Sequence, residues 1–173
     1  MNIFALEGNV ETGEIDWQAS AQSHDNYRTV KMLLETCQLL STALNVHGVK
    51  APYKSFNPKH PSAMWAIESS ANSKNLIVLG KGLLNEYMLR FGKDNKCRIA
   101  LEQIIDLYNK NIDKFPSHEP TPLRLAMPDQ FKDKNPIVAY RNYWITKERM
   151  RYPKDKVPKW FKKLRKLPYQ VVS

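Results

Sequence analysis

The clearest helix in the sequence spans residues 24–47, which read HDNYRTVKMLLETCQLLSTALNVH. Apolar residues recur there at spacings of three and four, a pattern typical of a helix with one buried face. The residues predicted to form that face are Val30, Leu33, Leu34, Cys37, Leu40, Ala43 and Leu44. On the opposite face, Lys31 lies four residues before Glu35, so the two side chains can form an ion pair. We expect the chain to pack around this helix, with Ser23 or Asp25 as its N-cap.

The remaining sequence also favours helices, so the predicted fold class is mainly α. We expect a single-domain bundle of about five or six helices, with room for one short β element at the N-terminus. Besides the central helix, the predicted helices cover residues 61–70, 72–91, 95–113, 136–151 and 159–166. Gly80 and Gly82 weaken the helix over 72–91 by about 1 kcal/mol each relative to alanine, which indicates a close packing contact.

The segments between the predicted helices differ in character. Residues 1–6 are mostly apolar and are expected to form an edge strand or an extended arm. Residues 7–23 are mainly polar, contain two glycines and indicate a loop or a small hairpin. Residues 114–135 are rich in proline and lack a regular period. We predict a long ordered loop there, and loops of that length are often functional.

Length and composition limit the class of protein. A chain of 173 residues is expected to form one domain, residues 1–173, with a single sizeable core. No apolar run approaches the roughly 18 residues of a membrane span, and the N-terminus lacks a signal-peptide pattern. Cys37 and Cys97 lie within apolar helical patterns, which favours buried free thiols over a disulfide. No membrane partner is expected, and the oligomeric state does not follow from these features.

Positive charge is concentrated near the C-terminus. The net charge is +10, and residues 141–166 contain eleven basic and two acidic residues. Aromatic residues are interleaved with these cations, a composition that suits DNA or RNA because cations neutralise phosphates and aromatic rings stack on bases. The alternative for the aromatic residues is an amphipathic helix pair that buries them in the core. The residues predicted to bind nucleic acid are Arg141, Lys147, Arg149, Arg151, Lys159, Trp160, Lys162, Lys163 and Arg165.

Histidine and charged residues accumulate near the predicted helix starts and in the proline-rich loop. If these segments converge, they would supply a base, a carboxylate and phosphate-binding cations to one pocket. The candidate catalytic residues are His24, Asp25, His60 and His118, and the candidate anion-binding residues are Arg28, Lys31 and Lys59. A helix N-terminus favours an anion, because its free backbone N–H groups point at the ligand. The alternative is that these are ordinary capping and surface residues.

The sequence gives little indication of a metal site. His24 and Asp25, with Glu35 or Glu68, loosely resemble the ligands of helical metal-dependent phosphohydrolases, but the chain contains only one His-Asp pair. No Cys or His spacing resembles that of a zinc site. We therefore predict neither a metal nor another cofactor.

Several sequence elements form a series that resembles one protein family. They are MNIF at the N-terminus, TVKMLLETCQLLSTA (Thr29–Ala43), KHPSAMWAIES (Lys59–Ser69), PTPLRLAMPDQF (Pro120–Phe131) and AYRNYW (Ala139–Trp144). Up to about residue 147, the chain resembles a family of small, uncharacterised α-helical proteins of tailed bacteriophages. The resemblance implies a phage origin and a setting in the host cytoplasm, and it implies no particular reaction.

Three functional hypotheses follow from these observations. The first is a phage-encoded protein that binds DNA or RNA in the infected bacterial cell. The second is a small enzyme that acts on a nucleotide or a DNA base, by base modification or by N-glycosidic or phosphoester chemistry, and that binds a nucleotide in the His/Asp/Lys pocket. The third is a host-takeover protein that binds a bacterial protein through its basic region. The enzyme hypothesis requires that the histidines converge on one cleft.

Overall fold

Two long helices form the centre of the structure, a computed structural model that describes residues 1–173. The α-helices are α1 (Trp17–Gln22), α2 (Asn26–Val46), α3 (Pro61–Glu68), α4 (Ser70–Phe91), α5 (Cys97–Lys110), α6 (Pro136–Trp144) and α7 (Lys159–Leu164). Two 3₁₀ helices cover Ile112–Lys114 and Asp129–Phe131, and the strands are β1 (Arg151–Pro153) and β2 (Gln170–Val172). The mainly α, single-domain prediction is confirmed, with seven α-helices. None of them combines the length and the apolar character needed to cross a membrane.

Helix α2 contacts α3, α4, α5 and β1, and it is the central helix that the sequence predicts. Asp25 is its N-cap, and the predicted pair of Lys31 and Glu35 forms at 3.7 Å. Because α2 has neighbours on several sides, its buried residues extend well beyond the predicted stripe. Two predicted core residues are wrong, since Val30 and Leu34 are 42% and 40% exposed.

Helix α1 lies in a segment predicted to be a loop. Its N-cap is Asp16, whose carboxylate accepts a hydrogen bond from the backbone N–H of Ala19 at 2.8 Å. Such a short helix is unstable alone, so packing must stabilise it. A Cβ added at Gly82 of α4 would lie only 2.7 Å from the Cβ of Ala21 in α1. The close packing contact predicted from the glycines of α4 is therefore confirmed.

The β structure lies mainly at the C-terminus instead of the N-terminus. Strands β1 and β2 pair in parallel, with Arg151 opposite Gln170. At the N-terminal end, the predicted β element is a single antiparallel bridge between Gly8 and Ile15. Residues 3–6 form an extended, fully buried arm rather than an edge strand.

The predicted end of one helix and the predicted burial of one residue also differ from the structure. Helix α6 ends at Trp144, well before Arg151, where the sequence pattern places its end. The chain turns after α6 because the Glu148 carbonyl accepts a hydrogen bond from Arg28 and Arg149 adopts a left-handed backbone conformation, with φ of +54°. In α3, the apolar pattern of the sequence predicts that Met64 is buried, but its side chain is 38% exposed.

Candidate nucleic-acid interface

The entry of α2 is a buried ion-pair network. His24 and Asp25 are fully buried, and Arg28 is only 9% exposed. Nη1 of Arg28 lies 3.2 Å from each carboxylate oxygen of Asp25, and Nη2 donates to the Glu148 carbonyl. Burial raises the pKa of Asp25, while Arg28 acts in the opposite direction. Arg28, predicted to bind an anion, is therefore already occupied by Asp25.

His24 is enclosed by aromatic rings. Its ring centroid lies 5.9 Å from that of Phe4 and 5.0 Å from that of Trp144. Nδ1 lies 2.7 Å from the Ser20 carbonyl oxygen, whereas the buried Nε2 has no hydrogen-bond partner. Burial lowers the pKa of His24 to about 3, so the ring is neutral at pH 7. With no exposed surface, this side chain is inaccessible to a ligand on the protein surface.

A second ion-pair cluster joins α4 to the α2 entry. Arg90 pairs with the buried Glu86 at 2.9 Å and donates to the His24 carbonyl at 2.7 Å. Lys156 also contacts Glu86, at 3.2 Å. Sequence reasoning missed this cluster, because a Glu–Arg pair four residues apart is equally typical of an exposed helix face.

His118 lies at the opposite end of the bundle from His24. It is exposed, and its Nδ1 lies 2.8 Å from the hydroxyl of Ser70. Ser70 begins α4, whereas Arg90, which contacts His24, lies in its last turn. Twenty helical residues span about 30 Å. His24 and His118 therefore do not share a pocket.

His60 has a capping role in the structure. Its Nδ1 accepts a hydrogen bond from the backbone N–H of Ser62 at 3.1 Å, as the N-cap of α3. The pKa of His60 is lowered, chiefly by burial, and the nearby Glu35 acts in the opposite direction. Glu35 lies ten residues beyond Asp25, about 15 Å along α2. The single catalytic pocket required by the enzyme hypothesis is absent.

The three candidate anion-binding residues are also dispersed. Arg28 is buried, Lys31 is paired with Glu35, and Lys59 is exposed beside the α3 cap. In addition, no group of three or more His, Cys, Asp or Glu side chains is arranged to hold a metal ion. Cys37 and Cys97 are buried free thiols.

Part of the C-terminal basic region forms internal contacts. Arg141 pairs with Glu7 at 3.0 Å, and its guanidinium carbon lies 4.7 Å from the Trp160 ring centroid. The Trp160 indole also donates to Glu7, at 2.6 Å. Lys147 lies over the Tyr143 ring, with its Nζ 3.4 Å from the centroid. These three predicted nucleic-acid-binding residues, Arg141, Lys147 and Trp160, are thus engaged within the protein.

Arg165 also has a structural role. Its guanidinium donates to the carbonyl oxygens of Ile145, Lys147, Leu167 and Pro168, joining the turn after α6 to the segment before β2. Burial lowers its pKa, and the nearby Arg28 lowers it further.

The core interpretation of the aromatic residues is confirmed for Tyr140, Trp144, Tyr152 and Phe161, which are buried.

The other basic residues of this region form what we call the cationic surface. Its seven members are exposed, and none has a carboxylate within ion-pair distance. They are Arg149, Arg151, Lys154, Lys159, Lys162, Lys163 and Lys166. On α7, the three lysines face solvent while Phe161 is buried, so every charged residue that the helix exposes is positive.

A cleft of about 700 Å³ lies beside the α2 entry, at the edge of the cationic surface. Three aromatic residues line it, Tyr27 from α2, Phe91 from α4 and Tyr169 from the segment before β2. Arg149 and Arg151 supply its positive charge, and no acidic residue lines it. We call it the aromatic cleft. Sequence reasoning identified the two arginines but not the cleft, because its walls come from distant parts of the chain.

Comparison of the chain with models of protein families, with curated proteins and with solved structures finds no match.

Proposed function

We propose that this protein binds nucleic acid through the cationic surface. The observation that carries the proposal is the set of seven exposed cations without carboxylate partners. Cations that contact phosphates release condensed counterions from the nucleic acid, which favours binding at low salt. A net charge of +10 also destabilises the folded chain by self-repulsion, and binding of a polyanion would relieve that repulsion.

The aromatic cleft favours nucleic acid over the alternative of an acidic bacterial protein. Lysines and arginines bind acidic side chains as readily as phosphates, and the cations alone do not separate these partners. An exposed tyrosine beside two unpaired arginines adds a stacking surface, and planar bases use such surfaces. The resemblance to tailed-phage proteins supports a setting in the cytoplasm of an infected bacterium, and we include that setting in the proposal.

The proposal is tested by the salt dependence of binding to labelled DNA and RNA. A triple variant, Lys159→Gln with Lys162→Gln and Lys163→Gln, removes three exposed cations from α7. If all three contact phosphates, the slope of log affinity against log salt should become shallower by roughly 2 to 3. Fluorescence anisotropy over a salt series would measure this slope.

The matched control removes three exposed lysines elsewhere, with Lys50→Gln, Lys54→Gln and Lys74→Gln. The control has the same change in net charge, so an effect of total charge would appear equally in both triple variants. Equal losses of affinity, or no binding by the unmodified protein at low salt, would overturn the proposal.

A further inference from the structure

We infer that the aromatic cleft binds one unpaired nucleotide, with its base against the aromatic rings and its phosphate against Arg149 and Arg151. The inference rests on the proposed function and adds the class of ligand. It predicts a preference for single-stranded nucleic acid, or for a strand with an unpaired base, over a fully paired duplex.

The cleft has the size and lining that such a ligand requires. Its volume of about 700 Å³ lies within the range of small-molecule sites. Tyr27 is 59% exposed in the first turn of α2, although a large aromatic side chain is usually buried. Phe91 and Tyr169 complete the aromatic lining. Asn26 and Gln170 lie on the same lining. Oδ1 of Asn26 accepts from Arg90 at 3.3 Å, which leaves its amide N–H groups to donate to a base edge, while the Gln170 amide can donate and accept.

The charge of the cleft fits a phosphate. Arg149 and Arg151 are exposed and lack ion-pair partners, so both guanidinium groups are free to form paired hydrogen bonds with phosphate oxygens. The left-handed φ of +54° at Arg149 is unfavourable for a residue with a long side chain. Such backbone strain tends to occur at functional sites. The turn thus keeps an arginine in the cleft at a position where glycine or asparagine is less strained.

The geometry also explains why the base must be unpaired. In a duplex, both faces of each base are covered by its neighbours in the stack, so an aromatic side chain cannot cover a face until the base leaves the stack. The exposed lysines of α7 supply charge for phosphates, which paired and unpaired strands both carry. The protein therefore has one surface for phosphates in general and one cleft for a free base.

The experiment compares three labelled probes of equal phosphate number: a single-stranded DNA, an RNA of the same sequence and a DNA duplex of two fully paired strands. Tyr27→Ala should weaken binding of the single strands roughly 5- to 150-fold, the range for loss of one stacked base. Its effect on the duplex should stay below about twofold. Tyr27→Phe keeps the ring and should restore binding, because stacking needs only the aromatic face.

Two further variants test charge and position. Arg149→Asn removes the cation but tolerates the left-handed backbone, and it should weaken binding of the single strands. Phe56→Ala removes a 52% exposed ring outside the cleft and should leave all affinities unchanged. The DNA and RNA arms identify the preferred sugar, and stronger binding of either single strand than of the duplex supports the inference.

The outcomes distinguish the inference from the proposed function. If no probe binds at low salt, the proposed function fails and the inference fails with it. If all probes bind with steep salt dependence but Tyr27→Ala leaves the single strands unaffected, the inference alone is overturned. Equal affinity for the single strands and the fully paired duplex would overturn it in the same way.

Discussion

The entry of α2 and the cationic surface both contain basic and aromatic residues, but they differ in burial and in pairing. At the α2 entry, Arg28 and Arg90 are buried and paired with Asp25 and Glu86. On the cationic surface, basic residues are exposed and unpaired. Both regions combine positive charge with aromatic residues in the sequence. Charge density in the sequence therefore does not separate buried, paired cations from exposed, unpaired ones, whereas burial and pairing in the structure do.

The largest expected effect tests whether the α2 entry is structural. Asp25→Ala leaves the guanidinium of Arg28 buried without its carboxylate partner, and breaking a buried pair costs about 3–5 kcal/mol. Loss of a helix cap alone costs about 1 kcal/mol. Urea unfolding would measure the change in the free energy of unfolding.

A matched control is available in α1. Asp16 is also an N-cap, but it is exposed and has no ion-pair partner, so Asp16→Ala should cost only about 1 kcal/mol. If the two variants lose equal stability, Asp25 is only a cap and the contrast between the two regions is weaker than the geometry indicates.

The second prediction concerns pH. An unfolded His24 binds a proton below its ordinary pKa of about 6.5, whereas the buried side chain, with its pKa lowered to about 3, does not. Stability is therefore lost as the pH falls, by about 2 kcal/mol between pH 7 and pH 5 from this group alone. Asp25, with its raised pKa, acts in the opposite direction.

The contribution of His24 is isolated by comparison with His24→Asn, which cannot titrate but can still donate to the Ser20 carbonyl. The difference in unfolding free energy between the unmodified protein and the variant should shrink by about 2 kcal/mol from pH 7 to pH 5, because Asp25 is common to both. A difference that does not change with pH would show that the folded protein protonates His24 as readily as the unfolded chain does.

The smallest effects come from two neighbours in the basic region. Arg165→Gln leaves carbonyl groups of the turn and of the segment before β2 short of donors, which should cost about 1–3 kcal/mol. Lys163→Gln removes an exposed charge and should change stability by less than about 0.5 kcal/mol. Thermal unfolding would measure the stability of both variants. Equal losses of stability would show that internal and exposed cations do not differ in their contribution to the fold.

The sequence predicts the long helices well because their signals are local. The N-cap at Asp25, the left-handed C-cap at Gly92 and the proline in the first turn of α3 all act within one helical turn. Helix α1 is missed because it depends on packing against α4, which is distant in the sequence. The early end of α6 is missed because residues far along the chain, including Arg28, hold the turn that follows it.

For the site as well, some properties follow from the sequence and others only from the structure. Composition shows that residues 141–166 are basic, and several of the predicted binding residues are exposed and unpaired. It cannot show that Arg165 is directed at carbonyl groups while Lys163 is directed at solvent. Likewise, the histidines all lie near helix ends, but the length of α4 separates His24 from His118.

By itself, the sequence determined the mainly α class, the central helix and the excess of positive charge near the C-terminus. These properties depend on periodicity, capping and composition, which act over a few residues. The tertiary structure alone decided which charges are paired, which aromatic rings are buried, and that Tyr27, Arg149 and Tyr169 line one cleft. These properties depend on which distant segments pack together and exclude water, and only the fold of the whole chain brings those segments into contact.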